Sequence, residues 1–134
     1  MRLLIIGGSG HVSGALARAA LAQGHETWTV TRGQRPLPRG ARPLTLDRAN
    51  TPAFEEALKS AGGEWDCVVD CIAYKVEAIT QDVALFRSRA RHLVFISTDF
   101  VYDPTRRRFP QSVAADVYVP PGPGSLDYGY HKRQ

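Results

Sequence analysis

Three groups of residues in this sequence have the types and spacing to do chemistry. The first is Gly7-Gly8-Ser9-Gly10-His11-Val12-Ser13-Gly14, set between a short apolar run and a helical pattern. A diphosphate held by main chain needs a sharp turn, close backbone approach and free amides at a helix N-terminus. Gly7 can make the turn and Gly10 can let the backbone approach the phosphates, with Gly8, Ser9, His11 and Val12 in the same loop. The third small position is Ser13, with Gly14 beside it. The second group is Tyr128 and Lys132, four apart and so on one face if helical. A phenol is a poor base at neutral pH, because its reference pKa is about 10, and a neighbouring ammonium lowers that value. Such a pair suits removal or delivery of a hydroxyl proton coupled to hydride transfer at a carbinol carbon. Tyrosine and lysine also meet at this spacing in ordinary helices, so the pair needs the rest of the chain to give it meaning.

The third group lies after the second and third apolar runs. Val30-Thr31-Arg32-Gly33 has no acid to take the ribose hydroxyls of NAD, and Arg35 is close by. A guanidinium suits a 2′-phosphate, which favours NADP over NAD, although a loop arginine can also simply face water. Asp47, followed by Arg48, could accept from an adenine amino group or cap a helix. His, Cys and acidic residues show no metal-ligand clustering, so no metal is expected.

These groups must be positioned by regular elements, and the pattern supplies them. Arg2 to Ile6 reads as a continuous apolar strand of a parallel sheet buried on both faces. Val12, Ala15, Leu16, Ala19 and Ala20 recur at helical spacing, and Gly24 stops that helix. Thr27 to Thr31 and Pro43 to Leu46 follow as strands, separated by a loop rich in Gly, Pro and Arg. Thr51 caps a helix with Pro52 at its first position, and Gly62-Gly63 ends it. Asp66 to Ile72 is a fourth strand. Val76, Ile79, Val83 and Phe86 mark one face of the next helix, and Arg91 to Ser97 is a fifth strand. Prolines and the lack of a helical period make the stretch from Pro104 to Gly124 a loop, and another helix can begin at Leu126. Right-handed crossovers then predict an α/β, Rossmann-type doubly wound parallel sheet of about five strands, order 3-2-1-4-5.

Composition bounds the reading. The 134 residues, 43% hydrophobic and 22% charged, suffice for one domain, so residues 1–134 are expected to form a single NAD(P)-binding unit. No apolar run nears the roughly 20 residues that span a bilayer, and the N-terminus lacks a signal-peptide core, so no membrane partner and a cytoplasmic location are expected. Cys67 and Cys71 have neither the number nor the spacing of a disulfide framework or zinc pair, and read as buried, inert thiols. The net charge of +4 is spread over loops without interleaved aromatic residues, which argues against nucleic acid as a partner.

Taken in order, the motifs resemble the extended short-chain dehydrogenase/reductases, the NAD-dependent epimerase/dehydratase group. Gly7 and Gly10 match the family's Gly-x-x-Gly-x-x-Gly turn, with Ser13 departing from it. Thr31-Arg32-Gly33, Asp47-Arg48 and Val94-Phe95-Ile96-Ser97-Thr98-Asp99-Phe100-Val101-Tyr102 follow, and Tyr128-Gly129-Tyr130-His131-Lys132 is similar to its Tyr-x-x-x-Lys. The resemblance implies an enzyme that oxidises, reduces or epimerises a sugar nucleotide or similar hydroxyl-bearing small molecule, with NADP or NAD as cofactor. It implies Tyr128 as general acid/base, Lys132 tuning it and binding the nicotinamide ribose, and Thr98 holding the substrate oxygen, with Ser97 and Tyr102 in support. It also puts Cys71, Ile72 and Ala73 under the cofactor, with Asp70 near its nicotinamide side. Dehydratases of the family carry an acid pair after the threonine. Here Asp99 is followed by Phe100, which argues against dehydration, and Asp99 reads equally as a loop cap.

Family members continue well past the Tyr-x-x-x-Lys helix, so the resemblance implies a chain that is the front part of a longer enzyme, weakly active or inactive alone. It implies homodimers of the complete protein, formed through the helix bearing Val76, Ile79, Val83 and Phe86 and the tyrosine-bearing helix. A different class stays open: a non-catalytic NADP-sensing or RNA-associated regulator on the same fold.

Overall fold

The structure, a computed structural model, describes residues 1–106, 108–112, 118–120 and 132–133. The chain divides into two compact units, one of Met1–Ala73 with Ala78–Ile96 and one of Tyr74–Glu77 with Ser97–Gln134.

The first unit is built on strands β1 (Arg2–Ile6), β2 (Glu26–Thr31), β3 (Arg42–Thr45), β4 (Trp65–Asp70) and β5 (Ala90–Phe95). They form one sheet in the order β3-β2-β1-β4-β5, and every pairing is parallel. Helices α1 (His11–Ala22), α2 (Thr51–Ser60) and α3 (Val76–Phe86) lie in the crossovers. This is the Rossmann-like order that the alternation of patterns predicts. Leu3, Leu4, Ile5 and Ile6 are all buried, as befits a central strand covered on both faces. Around Leu4 and Ile6 pack Val30, Phe54, Leu58, Trp65, Val68, Leu85 and Phe86. Phe54 of α2 meets Phe86 of α3 edge to face at 6.0 Å, and each such buried ring is worth roughly 1.5–3 kcal/mol of burial.

The register brings the strand ends level. Ile6 lies beside both Val30 and Asp70, Thr31 beside Thr45, and Asp70 beside Phe95. The segments that follow these strands therefore emerge along a single edge of the sheet, the carboxyl edge.

Two helices turn a different face inward from the one their apolar residues mark. In α1 the buried residues are Ser13, Gly14, Ala17 and Ala20, while Val12 is 52% exposed. Small side chains let the helix lie close on the sheet, which outweighs the larger area of Val12. In α3 the buried residues are Asp82, Leu85 and Phe86, and Val76 and Val83 face outward. The cause is Arg48, which draws Asp82 into the interior. At α2 the cap is Asn50, whose Oδ1 accepts from the Ala53 amide at 3.2 Å, so Thr51 is the first helical residue instead of the cap. β5 is more exposed than an apolar central strand would be: it pairs with β4 on one side, and Arg91, His92 and Val94 are exposed. Among the described residues no helix is long and apolar enough to cross a membrane, and no cluster of three His, Cys, Asp or Glu side chains could hold a metal.

Candidate functional site

The glycine-rich turn leaves β1 at the carboxyl edge and opens directly into α1. Gly7 and Gly8 have φ of +118° and +113°, a region that side chains disfavour. A Cβ on Gly8 would stand 2.6 Å from Thr29 Cγ2, and one on Gly7 would stand 3.1 Å from Ser13 Cβ. The turn is thus as tight as the chain allows, and it is pinned by the Gly7 amide, which donates to the Val30 carbonyl at 2.9 Å. Ser13, the departure from glycine, is buried, and its Oγ accepts from the Gly10 amide at 3.1 Å. The serine therefore stiffens the loop from within. His11 and Val12 open the helix, and their amides have no intrahelical acceptor. The first turn of α1 holds no acidic side chain, so its positive end is unopposed. Ser9 is half-buried, and Gly10, His11 and Val12 are exposed. A concave run of amides at a helix N-terminus fits a diphosphate, and the missing Cβ atoms make the approach possible.

The other candidates of the first unit leave the same edge. Arg32 and Arg35 are exposed after β2 and, among the described residues, make no ion pair. Asp47 is exposed after β3, and its Oδ1 accepts from the Ala49 amide at 3.0 Å, closing the turn into α2. Cys71 and Ile72 are half-buried after β4, and Ala73 is buried. Cys67 and Cys71 are not disulfide-bonded and are half-buried where full burial was expected, and desolvation pushes the Cys67 thiol up.

Arg48 turns inward. Its guanidinium pairs with Asp70 and with Asp82, the latter at 2.7 Å, and donates to the Ala78 carbonyl at 3.0 Å. Both carboxylates are fully buried. Gln81 returns the contact, its Nε2 donating to the Arg48 carbonyl and to Thr51 Oγ1, each at 2.8 Å. Asp70 in turn takes the Ile72 amide on Oδ1 at 2.6 Å. The cluster therefore ties the exit of β3, the exit of β4 and helix α3 into one piece, with the segment Cys71–Ala73 hung from it. Burial pushes Asp82 up to about 8, helped by the hydrogen bond and charge of Asp70 and opposed by Arg48. Asp82 and Gln81 escape sequence reasoning. The available signal is an acid at position 82 in line with Ala78, Leu85 and Phe86, on the stripe that proves to face inward.

The second unit carries the remaining candidates. Thr98 is half-buried and caps the short 3₁₀ turn Asp99–Val101, its Oγ1 accepting from the Phe100 amide at 3.3 Å. Ser97, just before it, is exposed. The ring of Tyr102 stacks on that of Tyr118 at 5.7 Å. Lys132 Nζ lies 5.0 Å from the centre of the Tyr74 ring, a cation–π contact. Tyr128 lies outside the described residues.

The model of the NAD dependent epimerase/dehydratase family matches residues 3–134. The chain belongs to this family. The epimerase/dehydratase family is named for NAD-dependent enzymes, and solved structures share the fold. UDP-glucose 4-epimerase from Bifidobacterium longum, in complex with NAD+ and UDP, matches with a TM-score of 0.76 and 16% identity over 99% of this chain and 46% of its own. The Bordetella bronchiseptica enzyme WbmG, in complex with NAD and UDP, matches with 0.74 and 21% over 98% and 46%. A Methylobacillus flagellatus protein described as an NAD-dependent epimerase/dehydratase matches with 0.63 and 26% over 75% and 38%. The chain thus spans less than half the length of each of these proteins. No curated protein matches it.

Proposed function

We propose that this chain binds a nicotinamide dinucleotide along the carboxyl edge of its sheet, and serves hydride-transfer chemistry on a sugar nucleotide or similar hydroxyl-bearing small molecule. The observation that carries the reading is the side-chain-free turn at Gly7 and Gly8, which runs into the unopposed N-terminus of α1. Gly8 through Val12 would hold the diphosphate by main-chain amides, and Asp47 would face the adenine with its second carboxylate oxygen. Cys71, Ile72 and Ala73 would line the nicotinamide half. Arg48 would act from behind, by fixing that segment through Asp70. Arg32, with Arg35, favours the 2′-phosphate of NADP over the bare ribose of NAD, because both guanidinium groups are exposed and without ion-pair partners among the described residues. The bound UDP and NAD of the relatives support a nucleotide-linked sugar as the substrate class.

The nicotinamide, when bound, supplies the hydride acceptor or donor. The protein's share is proton handling. Tyr128 would take or return the hydroxyl proton, Lys132 would stabilise the phenolate and hold the nicotinamide ribose, and Thr98 would hold the substrate oxygen, with Ser97 beside it. Phe100 stands where a dehydratase needs a second carboxylate, so epimerisation or reduction is favoured over dehydration. A homodimer through α3 fits the outward-facing Val76 and Val83. The discriminating experiment is Tyr128→Phe, made in a protein whose parent form shows nicotinamide-dependent turnover. Loss of nicotinamide-dependent turnover with dinucleotide affinity kept supports this assignment. Unchanged turnover removes Tyr128 from the chemistry.

A further inference from the structure

At the opposite, amino edge of the sheet lies a cavity of about 570 Å³. Its walls come from the first residues of β1, β4 and β5, from the Gly62–Glu64 turn and from the α3–β5 connection, all within the first unit. A five-residue strand separates it from the glycine-rich turn, about 16 Å at the usual rise. It is therefore distinct from the cradle described above.

Its lining is one-sided in charge. Arg2, Arg87, Arg89 and Arg91 contribute four guanidinium groups, against the carboxylates of Glu64 and Asp66. Asp66 is already engaged: its Oδ2 accepts from the Arg2 amide at 2.7 Å and its Oδ1 stands 3.8 Å from Arg91. Arg2 is stacked 4.3 Å from the centre of the Trp65 ring. Arg87 and Arg89 have no carboxylate within ion-pair distance among the described residues. Gly62, with φ of +95°, leaves room for the Arg2 guanidinium, since a Cβ there would stand 3.2 Å from Arg2 Nη2.

A second observation, independent of the charge count, concerns hydrogen bonding. Trp65 is 3% exposed, yet its indole Nε1 has no acceptor, and the buried Nη1 of Arg89 has none either. Buried polar groups are as a rule partnered, and an orphan points to an absent water, ion or ligand. Both orphans are donors, and both residues line this cavity. The missing partner is thus rich in acceptors, and with the surplus of guanidinium groups it is an anion. We propose that this cavity is a second ligand site, for a phosphate group or similar oxyanion of a small molecule. Arg87 and Arg89 are its charge partners, and the Trp65 indole N–H and Arg89 Nη1, both closed off from the cavity in this structure, turn to donate to it as it enters.

The test uses the 134-residue chain, labelled with nitrogen-15, and inorganic pyrophosphate as probe. The indole N–H of Trp28 donates to Glu26 Oε1 at 2.9 Å and serves as an internal reference, assigned with Trp28→Phe. The site requires a saturable shift of the Trp65 indole and of the amides of residues 87–91, half-complete at about 10 mM or below. Arg87→Gln and Ser88→Glu both change exposed residues and keep the fold. Each should weaken that response about tenfold or more, while shifts at residues 8–12, which report the other edge, stay as in the parent. An indole signal that does not move, or that moves equally in the parent and both variants, overturns the proposal. Arg87→Lys distinguishes charge from shape, and it should keep most of the affinity.

Discussion

Replacing Asp82 with Asn separates the charge of the buried Arg48 cluster from its shape. With a folded value of about 8 against an ordinary 3.8, Asp82 holds a proton in the folded chain and releases it on unfolding anywhere between those values. At this group the folded state then binds more protons than the unfolded state, so the contribution of Asp82 to stability falls as pH rises through that window, and is fullest below pH 4. One such proton corresponds to a slope of about 1.4 kcal/mol per pH unit, hence a loss on the order of 2–3 kcal/mol between pH 5 and 7. The charged groups facing Asp82 are Arg48 and Asp70. Asparagine mimics the protonated acid, so Asp82→Asn should cost less than about 1 kcal/mol at pH 7 and remove this slope. Arg48→Met should instead cost about 3–5 kcal/mol at pH 7, because it strands the fully buried Asp70 carboxylate in the interior. Urea unfolding at pH 5, 6 and 7 on parent and variant measures both effects, the slope being taken as the difference between the two proteins. Equal slopes in parent and Asp82→Asn would refute the reasoning, as would a loss of several kcal/mol at pH 7.

Gly8→Ala puts a Cβ at φ +113° and 2.6 Å from Thr29 Cγ2, so it should cost at least about 2 kcal/mol in denaturant unfolding and abolish dinucleotide binding in calorimetry. Arg32→Gln combined with Arg35→Gln should weaken NADP about tenfold and leave NAD nearly unchanged, and equal losses for both would place these arginines outside the 2′-phosphate site. Val83→Lys, on the outward face of α3, should change unfolding stability of the isolated chain by no more than about 0.5 kcal/mol, whereas the face read from the sequence would make it severe.

The sheet was legible because its signals are redundant. Leu3 to Ile6 could only be a buried strand, the glycines at 7, 8 and 10 could only be a turn, and right-handed crossovers then leave one order. What the sequence hid were the helix orientations. Val12 and Val83 are apolar and branched, yet both face outward, because Ser13, Gly14 and Ala17 allow close approach in α1 and Arg48 claims Asp82 in α3. A period of apolar residues cannot anticipate a hydrogen bond between positions 48 and 82, which only the fold brings together. Arg48 reads in sequence as a neighbour of the adenine-side aspartate, and its inward turn is visible only once β4 and α3 are placed. The roles of Tyr128, Lys132 and Thr98 rest on motif spacing and the family resemblance.

The claim on which everything else depends is that main-chain amides between Gly8 and Val12 hold a dinucleotide diphosphate. Titrating the nitrogen-15-labelled chain with NADP, and separately with NAD, while following the amide signals of Gly8, Ser9, Gly10, His11 and Val12 tests it directly. Saturable displacement of these signals by both dinucleotides, with NADP tighter, is the expected result. Signals that stay in place at saturating dinucleotide would contradict it.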